Sequence, residues 1–216
     1  MIIAIDGPSG SGKSTTAKLL AERLKIMHMD TGAMYRAVTW GLLNEKINLE
    51  QSKRLCSFLN EMNILFNESN EVFLNKKNIS LEIRTKDITS KVSLVSSNSE
   101  VRSALVRIQR DMSKNIDFVI EGRDIGTVVF PDAEFKFYLT ADLNIRAERR
   151  KNDLKKIGED FTVEEIKEQI EIRDLKDSTR ENSPLKKAID AIVIDTSSLT
   201  VNEQIGKIIN IIKNNK

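Results

Sequence analysis

Near the start of the chain stands Gly7-Pro8-Ser9-Gly10-Ser11-Gly12-Lys13-Ser14-Thr15. Gly7, Gly12, Lys13 and Ser14 fit the spacing G-x-x-x-x-G-K-[ST], the phosphate-binding P-loop. Each part has a physical reason. Glycines let backbone N–H groups turn inward around phosphate oxygens with no Cβ in the way. A following helix points the positive end of its dipole at the same anion. Lys13 brings a flexible point charge to the β- and γ-phosphates, and the Ser14 hydroxyl is a ligand for Mg²⁺. The motif points to a nucleoside triphosphate and leaves open what receives the phosphate. The competing reading is a chance glycine- and serine-rich turn. Context argues against it: the apolar run Ile2-Ile3-Ala4-Ile5 precedes the loop, and a helical pattern starts at Lys13.

Glu121-Gly122-Arg123-Asp124 is the second chemical landmark, and it ends the β-rich run Phe118-Val119-Ile120. In an open parallel sheet, ligands sit beyond the carboxyl ends of the strands. That places Glu121 as the acid that organises Mg²⁺ through water, with Arg123 and Asp124 facing the crevice. The third landmark lies in residues 146–180, where basic and acidic residues balance. Ile166, Ile170, Arg173, Asp177 and Arg180 follow at spacings of four, three, four and three, so on a continuous helix they share one face. One reading is a solvated charged helix. The other is a helix that aims two arginines and an aspartate at an anionic ligand, with Gly158 as hinge and with Arg146, Arg149 and Arg150 at its base in reach of a triphosphate.

These landmarks need a scaffold. Ala17, Leu20, Ala21 and Leu24 give the helix after the P-loop an apolar stripe. Ile26–Met29 reads as a short strand that runs into Asp30-Thr31, either of which can cap a helix carrying Met34, Val38 and Leu42. Further strands are expected at Phe135–Leu139 and Ala191–Asp195, and an amphipathic helix at Thr200–Asn214. Strand–helix alternation with short links predicts parallel strands and crossover helices. Between Asn63 and Arg84 the period drops to two: Ile64 and Phe66, Val72 and Leu74, then Ile79, Leu81 and Ile83. This predicts a small antiparallel meander, read either as an edge hairpin or as a flap over a substrate. Ser97-Asn98-Ser99-Glu100 has a capping-box pattern before a helix burying Val101, Leu105, Ile108 and Met112. Arg102, Arg107 and Arg110 lie off that stripe, and each taken alone is expected in solvent.

Composition bounds the class. A chain of 216 residues, 40% hydrophobic and 31% charged, is one ordinary domain and not a disordered chain. No apolar run has the length of a membrane span, and no signal peptide is read at the N-terminus. A net charge of +2 gives no support to nucleic-acid binding. The single cysteine, Cys56, excludes an intrachain disulfide, fits a cytoplasmic location and is read as a small core residue. The single histidine, His28, cannot build a multi-histidine metal site and is read as structural.

Four stretches together resemble the bacterial cytidylate kinase family. They are the P-loop Gly7–Ser14; Asp30-Thr31-Gly32-Ala33-Met34-Tyr35-Arg36; Ile83-Arg84-Thr85; and Gly122-Arg123-Asp124-Ile125-Gly126-Thr127-Val128-Val129-Phe130-Pro131-Asp132-Ala133. The resemblance covers essentially the whole chain, and the last block is specific to that family. It implies an α/β, three-layer P-loop NTPase fold: a central five-stranded parallel sheet, a small antiparallel acceptor-binding insertion and a short helical lid. The corresponding expectation is one nucleoside monophosphate kinase domain, with core about 1–60, 85–145 and 188–216, insertion about 61–90 and lid about 146–187. The resemblance further implies that ATP and Mg²⁺ phosphorylate CMP and dCMP, in a monomer. Arg36, Arg123 and Arg180 would hold the acceptor phosphate, with Arg173 in the same cluster. Ser93, Arg102 and Asp124 would read cytosine, and Asp177 the sugar. Two departures stand out. Glu121 replaces the aspartate of many relatives and is one methylene longer. Thr31 replaces a serine and keeps the hydroxyl. The rival readings are an adenylate, uridylate or shikimate kinase, and, from another class, a P-loop switch or nucleic-acid-dependent ATPase. The guanine-reading N-K-x-D of a switch is not found.

Overall fold

The computed structural model describes residues 1–67, 69–156 and 158–215. The chain divides into two compact units, Met1–Met29 with Asn115–Lys216, and Asp30–Lys114.

In the first unit, the apolar run at the N-terminus forms β1 (Ile2–Asp6) in the middle of a five-stranded sheet. The other strands are β2 (Met27–Asp30), β6 (Phe118–Gly122), β7 (Phe135–Thr140) and β8 (Ile192–Asp195), in spatial order β2-β6-β1-β7-β8. The pairing of β1 with β6 and β7, and of β7 with β8, is parallel. Register matters for chemistry: Asp6 lies level with Gly122 on one side and Tyr138 on the other. The P-loop and the Gly-Arg-Asp turn therefore leave the sheet at the same end. Strands with β-branched residues on both faces read as near-continuous apolar runs, as buried parallel strands do.

Helix α1 (Lys13–Leu24) and the C-terminal α8 (Val201–Asn214) bury their stripes on this sheet. Ala17, Leu20 and Ala21 meet Ile205, Ile208 and Ile212 in one core with Ile3, Ile5, Val119, Phe137, Leu139 and Ile194. Thr200 caps α8 in a capping box with Glu203. Ile208→Val removes one methylene from this packed core and is expected to cost about 1 kcal/mol in urea unfolding. Helices α6 (Leu143–Lys156) and α7 (Val163–Thr179) form a hairpin with a small core of its own, from Ala147, Leu154, Ile166 and Ile170. Gly158 has φ +81° at the turn between them, where a side chain would be strained. Of the face expected on α7, Ile166, Ile170 and Asp177 are buried and Arg173 is half-buried, while Arg180 stands just past the helix as its extended C-cap residue.

The second unit is α2 (Thr31–Asn44), α3 (Ser52–Glu61), β3 (Ile64–Phe66), β4 (Val72–Leu74), β5 (Lys77–Asn78), α4 (Lys86–Ser97) and α5 (Ser99–Met112). Asp30 caps α2 by accepting from the Ala33 N–H. Gly41 in α2 is a close-approach site, since a Cβ there would lie 2.5 Å from the Phe58 ring. The strands β3, β4 and β5 form the small antiparallel sheet.

Four expectations are corrected here. The third strand is Lys77–Asn78, not the run Ile79–Ile83. Asn75 and Lys76 both adopt positive φ, the turn ends at Lys77, and Glu82–Arg84 coils into a 3₁₀ turn that leaves Leu81 83% exposed. The cap of α5 is Asn98, whose side chain accepts from Glu100 and Val101 N–H, not a box on Ser97. Ile108 and Met112 are only half-buried, while Arg102 is buried. Cys56 is exposed on α3, because Leu55, Phe58 and Leu59 take the inner face.

Candidate active site

The P-loop is held from both ends. A Cβ on Gly7 would lie 2.1 Å from the Leu139 carbonyl oxygen, and Gly7 has φ +149°, so the loop runs against β7 as only glycine can. Gly12, in the left-handed region, starts α1. Within the loop the Lys13 Nζ donates to the Pro8 carbonyl at 2.6 Å, and Ser11 Oγ donates to the same oxygen at 3.0 Å. Lys13 is buried. Burial, and next the Arg123 guanidinium, pull its ammonium well below the usual lysine range. Glu121 opposes them, Arg173 adds to them, and Asp174 opposes them in turn. Two arginines and two acids thus surround the Lys13 ammonium.

Ser14 Oγ donates to Glu121 Oε2 at 2.7 Å. The hydroxyl and the carboxylate named for Mg²⁺ are therefore in contact. On the other side of that carboxylate, His28 Nε2 lies 3.2 Å from Glu121 Oε1. His28, read from the sequence as structural, thus touches the carboxylate named for Mg²⁺.

The Gly-Arg-Asp turn continues into a π-helical turn, Ile125–Val129, a geometry often found at functional sites. Asp6 anchors it. Its two carboxylate oxygens accept from the Ile125 and Gly126 N–H groups, each at 2.8 Å. Arg123 Nε donates to Asp177 Oδ2 at 2.8 Å, and Arg180 Nη2 lies 3.5 Å from Asp124 Oδ1. Two crossed ion pairs thus tie this turn to the end of α7. Four residues assigned by resemblance to the acceptor nucleotide are brought together, and they hold one another.

At the base of the helical hairpin, Arg146 donates from Nη1 to the Ser9 carbonyl at 3.1 Å and from Nε to Ala141 O at 3.1 Å, and it pairs with Asp174. Asp174 Oδ1 accepts the Ser9 N–H at 2.9 Å. Arg149 instead grips Thr196, 2.9 Å to Oγ1 and 2.6 Å to the carbonyl, and Thr196 Oγ1 donates to Ser11 O at 3.1 Å. Arg150 lies exposed on α6. Asp6, His28, Asp174 and Thr196 are the residues that sequence reasoning missed. Asp174, next to Arg173, carried a usable signal; the others did not.

In the second unit, Thr31 is buried at the start of α2, and the Arg36 guanidinium comes back over Gly32 at the same helix end. Arg102 donates from Nη1 to Ser96 O at 3.2 Å and stacks 5.4 Å from the Tyr35 ring centre. Ser93 stands one turn before Ser96 on α4, half-buried. Ser93, Ser96, Arg102 and Tyr35 therefore share one neighbourhood.

A P-loop at the carboxyl end of a central parallel strand, with an acid meeting its serine and arginines around its lysine, defines a P-loop kinase-type nucleotide site. Comparisons with known proteins narrow this. The family description "Cytidylate kinase" matches residues 3–214. The cytidylate kinase of Thermosipho melanesiensis is 48% identical, covering 98% of this chain and 96% of that one. That of Bacillus cereus (strain G9842) is 45% identical over 97% of this chain and 95% of its own. A bifunctional pantoate ligase/cytidylate kinase of Prochlorococcus marinus (strain MIT 9312) is 48% identical over 97% of this chain, which spans only 42% of that protein. The chain belongs to the cytidylate kinase family. Among solved structures, a shikimate kinase from Acinetobacter baumannii in complex with shikimate has a TM-score of 0.50 at 14% identity, covering 100% of this chain and 94% of that chain. At that identity the likeness is one of fold. No helix among the described residues is long and apolar enough to cross a membrane.

Proposed function

We propose that the protein transfers the γ-phosphoryl group of ATP to CMP and dCMP, giving ADP with CDP or dCDP, as a cytoplasmic monomer. The observation that carries this reading is geometric: the P-loop serine meets Glu121 at 2.7 Å, and the Gly-Arg-Asp turn beyond the same end of the sheet is tied by Arg123–Asp177 and Arg180–Asp124 pairs to the end of α7. A phosphate oxygen of the acceptor attacks the γ-phosphorus. The bond from that phosphorus to the β–γ bridging oxygen breaks, and its electron pair leaves on ADP. The acceptor oxygen is already anionic, so no general base is needed; positioning and charge neutralisation are what the protein supplies. Two like unit charges at ~4 Å repel by on the order of 1 kcal/mol in water, and by several-fold more once water is expelled. By the family resemblance, Arg36, Arg123, Arg173 and Arg180 are assigned to offset that repulsion. Ser9–Thr15 would hold the triphosphate by backbone N–H and Lys13, with Arg146 beside them.

The donor set suits Mg²⁺. Ser14 offers a hard oxygen ligand and Glu121, in contact with it, a carboxylate that would hold the ion's waters, and no cluster of three metal-binding side chains exists among the described residues. Mg²⁺ favours such sparse sites, keeping waters and phosphate oxygens as its other ligands. When bound, it would screen the charge of the transferring phosphoryl group.

Base selection is assigned to Asp124 with Ser93 and Arg102, and Asp177 to the sugar. Cytosine presents an N4 amine where uracil presents the O4 acceptor. A carboxylate at Asp124 accepts from the first and repels the second. An ADP-release assay across CMP, dCMP, UMP, AMP, GMP and shikimate tests the reading. CMP and dCMP are expected to lead, UMP to follow well behind, and purines to be poorest. Asp124→Ala is expected to cut the CMP/UMP ratio of kcat/KM by about 10- to 100-fold, the cost of one polar mismatch. Arg36→Ala should weaken all monophosphates alike. Because Asp124 also pairs with Arg180, a purely structural Asp124 would lower CMP and UMP together and leave the ratio unchanged. That outcome, or ATP turnover indifferent to CMP, would sink the proposal.

A further inference from the structure

Glu121 is one methylene longer than an aspartate, and a longer side chain has one more torsion to fix before its carboxylate can meet Ser14. The structure shows what fixes it. Oε2 accepts from Ser14 Oγ at 2.7 Å, and Oε1 lies 3.2 Å from His28 Nε2. Both partners come from regular elements beside β6: β2 is its neighbour in the sheet, and α1 packs against it. The His28 and Glu121 side chains are 9% and 4% exposed, so solvent does not compete for either. A carboxylate oxygen accepts and does not donate, so the hydrogen of this contact sits on Nε2. The other ring nitrogen, Nδ1, is buried and has no hydrogen-bond partner among the described residues, so the contact with Glu121 is the ring's one hydrogen bond there.

We propose that His28 is a positioning residue for the metal side of the reaction. It donates from Nε2 to Glu121 Oε1 and thereby turns Oε2 onto the Ser14 hydroxyl, setting the span between the hydroxyl that would ligate the ion and the carboxylate that would hold its waters. Partners that orient a ligand in this way commonly govern metal affinity by 10- to 100-fold. The inference rests on the phosphoryl-transfer reading above, and its test separates the two.

His28 is the only histidine in the chain, so a tag-free ¹⁵N-labelled protein gives a single imidazole signal whatever the activity. Long-range ¹H–¹⁵N spectra are expected to show the hydrogen on Nε2 and a change in that signal in Glu121→Gln. Mn²⁺ binding in the presence of ADP, followed by EPR, is expected to weaken about 10-fold in His28→Leu. His28→Gln, whose amide also donates at about the same reach, should recover most of it. The Mg²⁺ requirement for CMP phosphorylation should rise in parallel with KM for CMP unchanged. An Nε2 without hydrogen, equal Mn²⁺ affinity in wild type and His28→Leu, or identical behaviour of the Leu and Gln variants would overturn the role of His28. If His28→Leu fails to fold, the wild-type spectrum and His28→Gln still decide the matter. Wild-type protein that binds Mn²⁺ with ADP yet never phosphorylates CMP would instead overturn the proposed function.

Discussion

Lys13→Ala protein is expected to phosphorylate CMP at least 100-fold more slowly than wild type while remaining as stable or more so. Loss of one donor aimed at developing charge costs about 3–4 kcal/mol in a water-excluded site, or 10²–10³ in kcat. Lys13 is buried with its ammonium on the Pro8 carbonyl, and burial and Arg123 both disfavour its charge. A group that the folded state holds against its own preference destabilises the fold in order to serve a ligand. Truncation removes that penalty together with the catalytic charge. Single-turnover kinetics with ATP and CMP, alongside urea unfolding, separate the two effects. Near-normal turnover would remove the P-loop from the mechanism. A large loss of stability would make Lys13 a structural residue, contrary to the charge balance around it.

Most of the parallel sheet was legible because its signals are local. Apolar runs bounded by glycine or by acid mark β1 and β6, and helical stripes mark α1, α2 and α8. The small sheet was legible as a kind but not in register. Asn75 and Lys76 adopt positive φ, and the turn there brings Lys77 and Asn78 back along β4 before the apolar residues Ile79 and Ile83 arrive. Alternation alone could not show that Ile79 and Ile83 are buried by packing outside a strand.

The site was legible where a motif fixes it and illegible where partners are distant. Asp174 meets the Ser9 N–H from 165 residues away, and His28 meets Glu121 from 93. Neither contact has a periodic signal, since the tertiary fold creates both: α7 brings Asp174 to the P-loop, and β2 lying beside β6 brings His28 to Glu121. Arg102 shows the converse failure. Its position off an apolar stripe predicts solvent, yet the Tyr35 ring and the Ser96 carbonyl bury it. Burial of an arginine follows from polar partners that only the tertiary structure supplies.

The stability of the protein is expected to fall by up to about 3 kcal/mol between pH 4 and 7 because of Asp6 alone. Asp6 is buried at the end of β1, and burial raises its carboxyl from 3.8 to about 6. The Gly126 and Ile125 N–H groups and Lys13 pull the other way, while the nearby Asp124 charge adds to the rise. The sign follows from proton counting. Between the unfolded value and the folded one, the folded state holds a proton that the unfolded chain has released. Raising pH through that window therefore favours unfolding, and the loss is complete above the folded value. Exposed carboxylates such as Asp190, Asp195 and Glu203 are held low by hydrogen bonds, so they add stability as pH rises, in a lower window. A comparison with Asp6→Asn cancels them. The amide turns an N–H toward one of the two backbone donors, an offset that does not vary with pH. Urea unfolding of both proteins from pH 4 to 7.5 should show wild type losing ground to the variant by about 2–3 kcal/mol, most of it before pH 6.5. A difference that is flat across this range, or that grows in favour of wild type, would mean that the two backbone N–H bonds outweigh burial and that Asp6 anchors the Gly-Arg-Asp turn as an ordinary low-lying carboxylate.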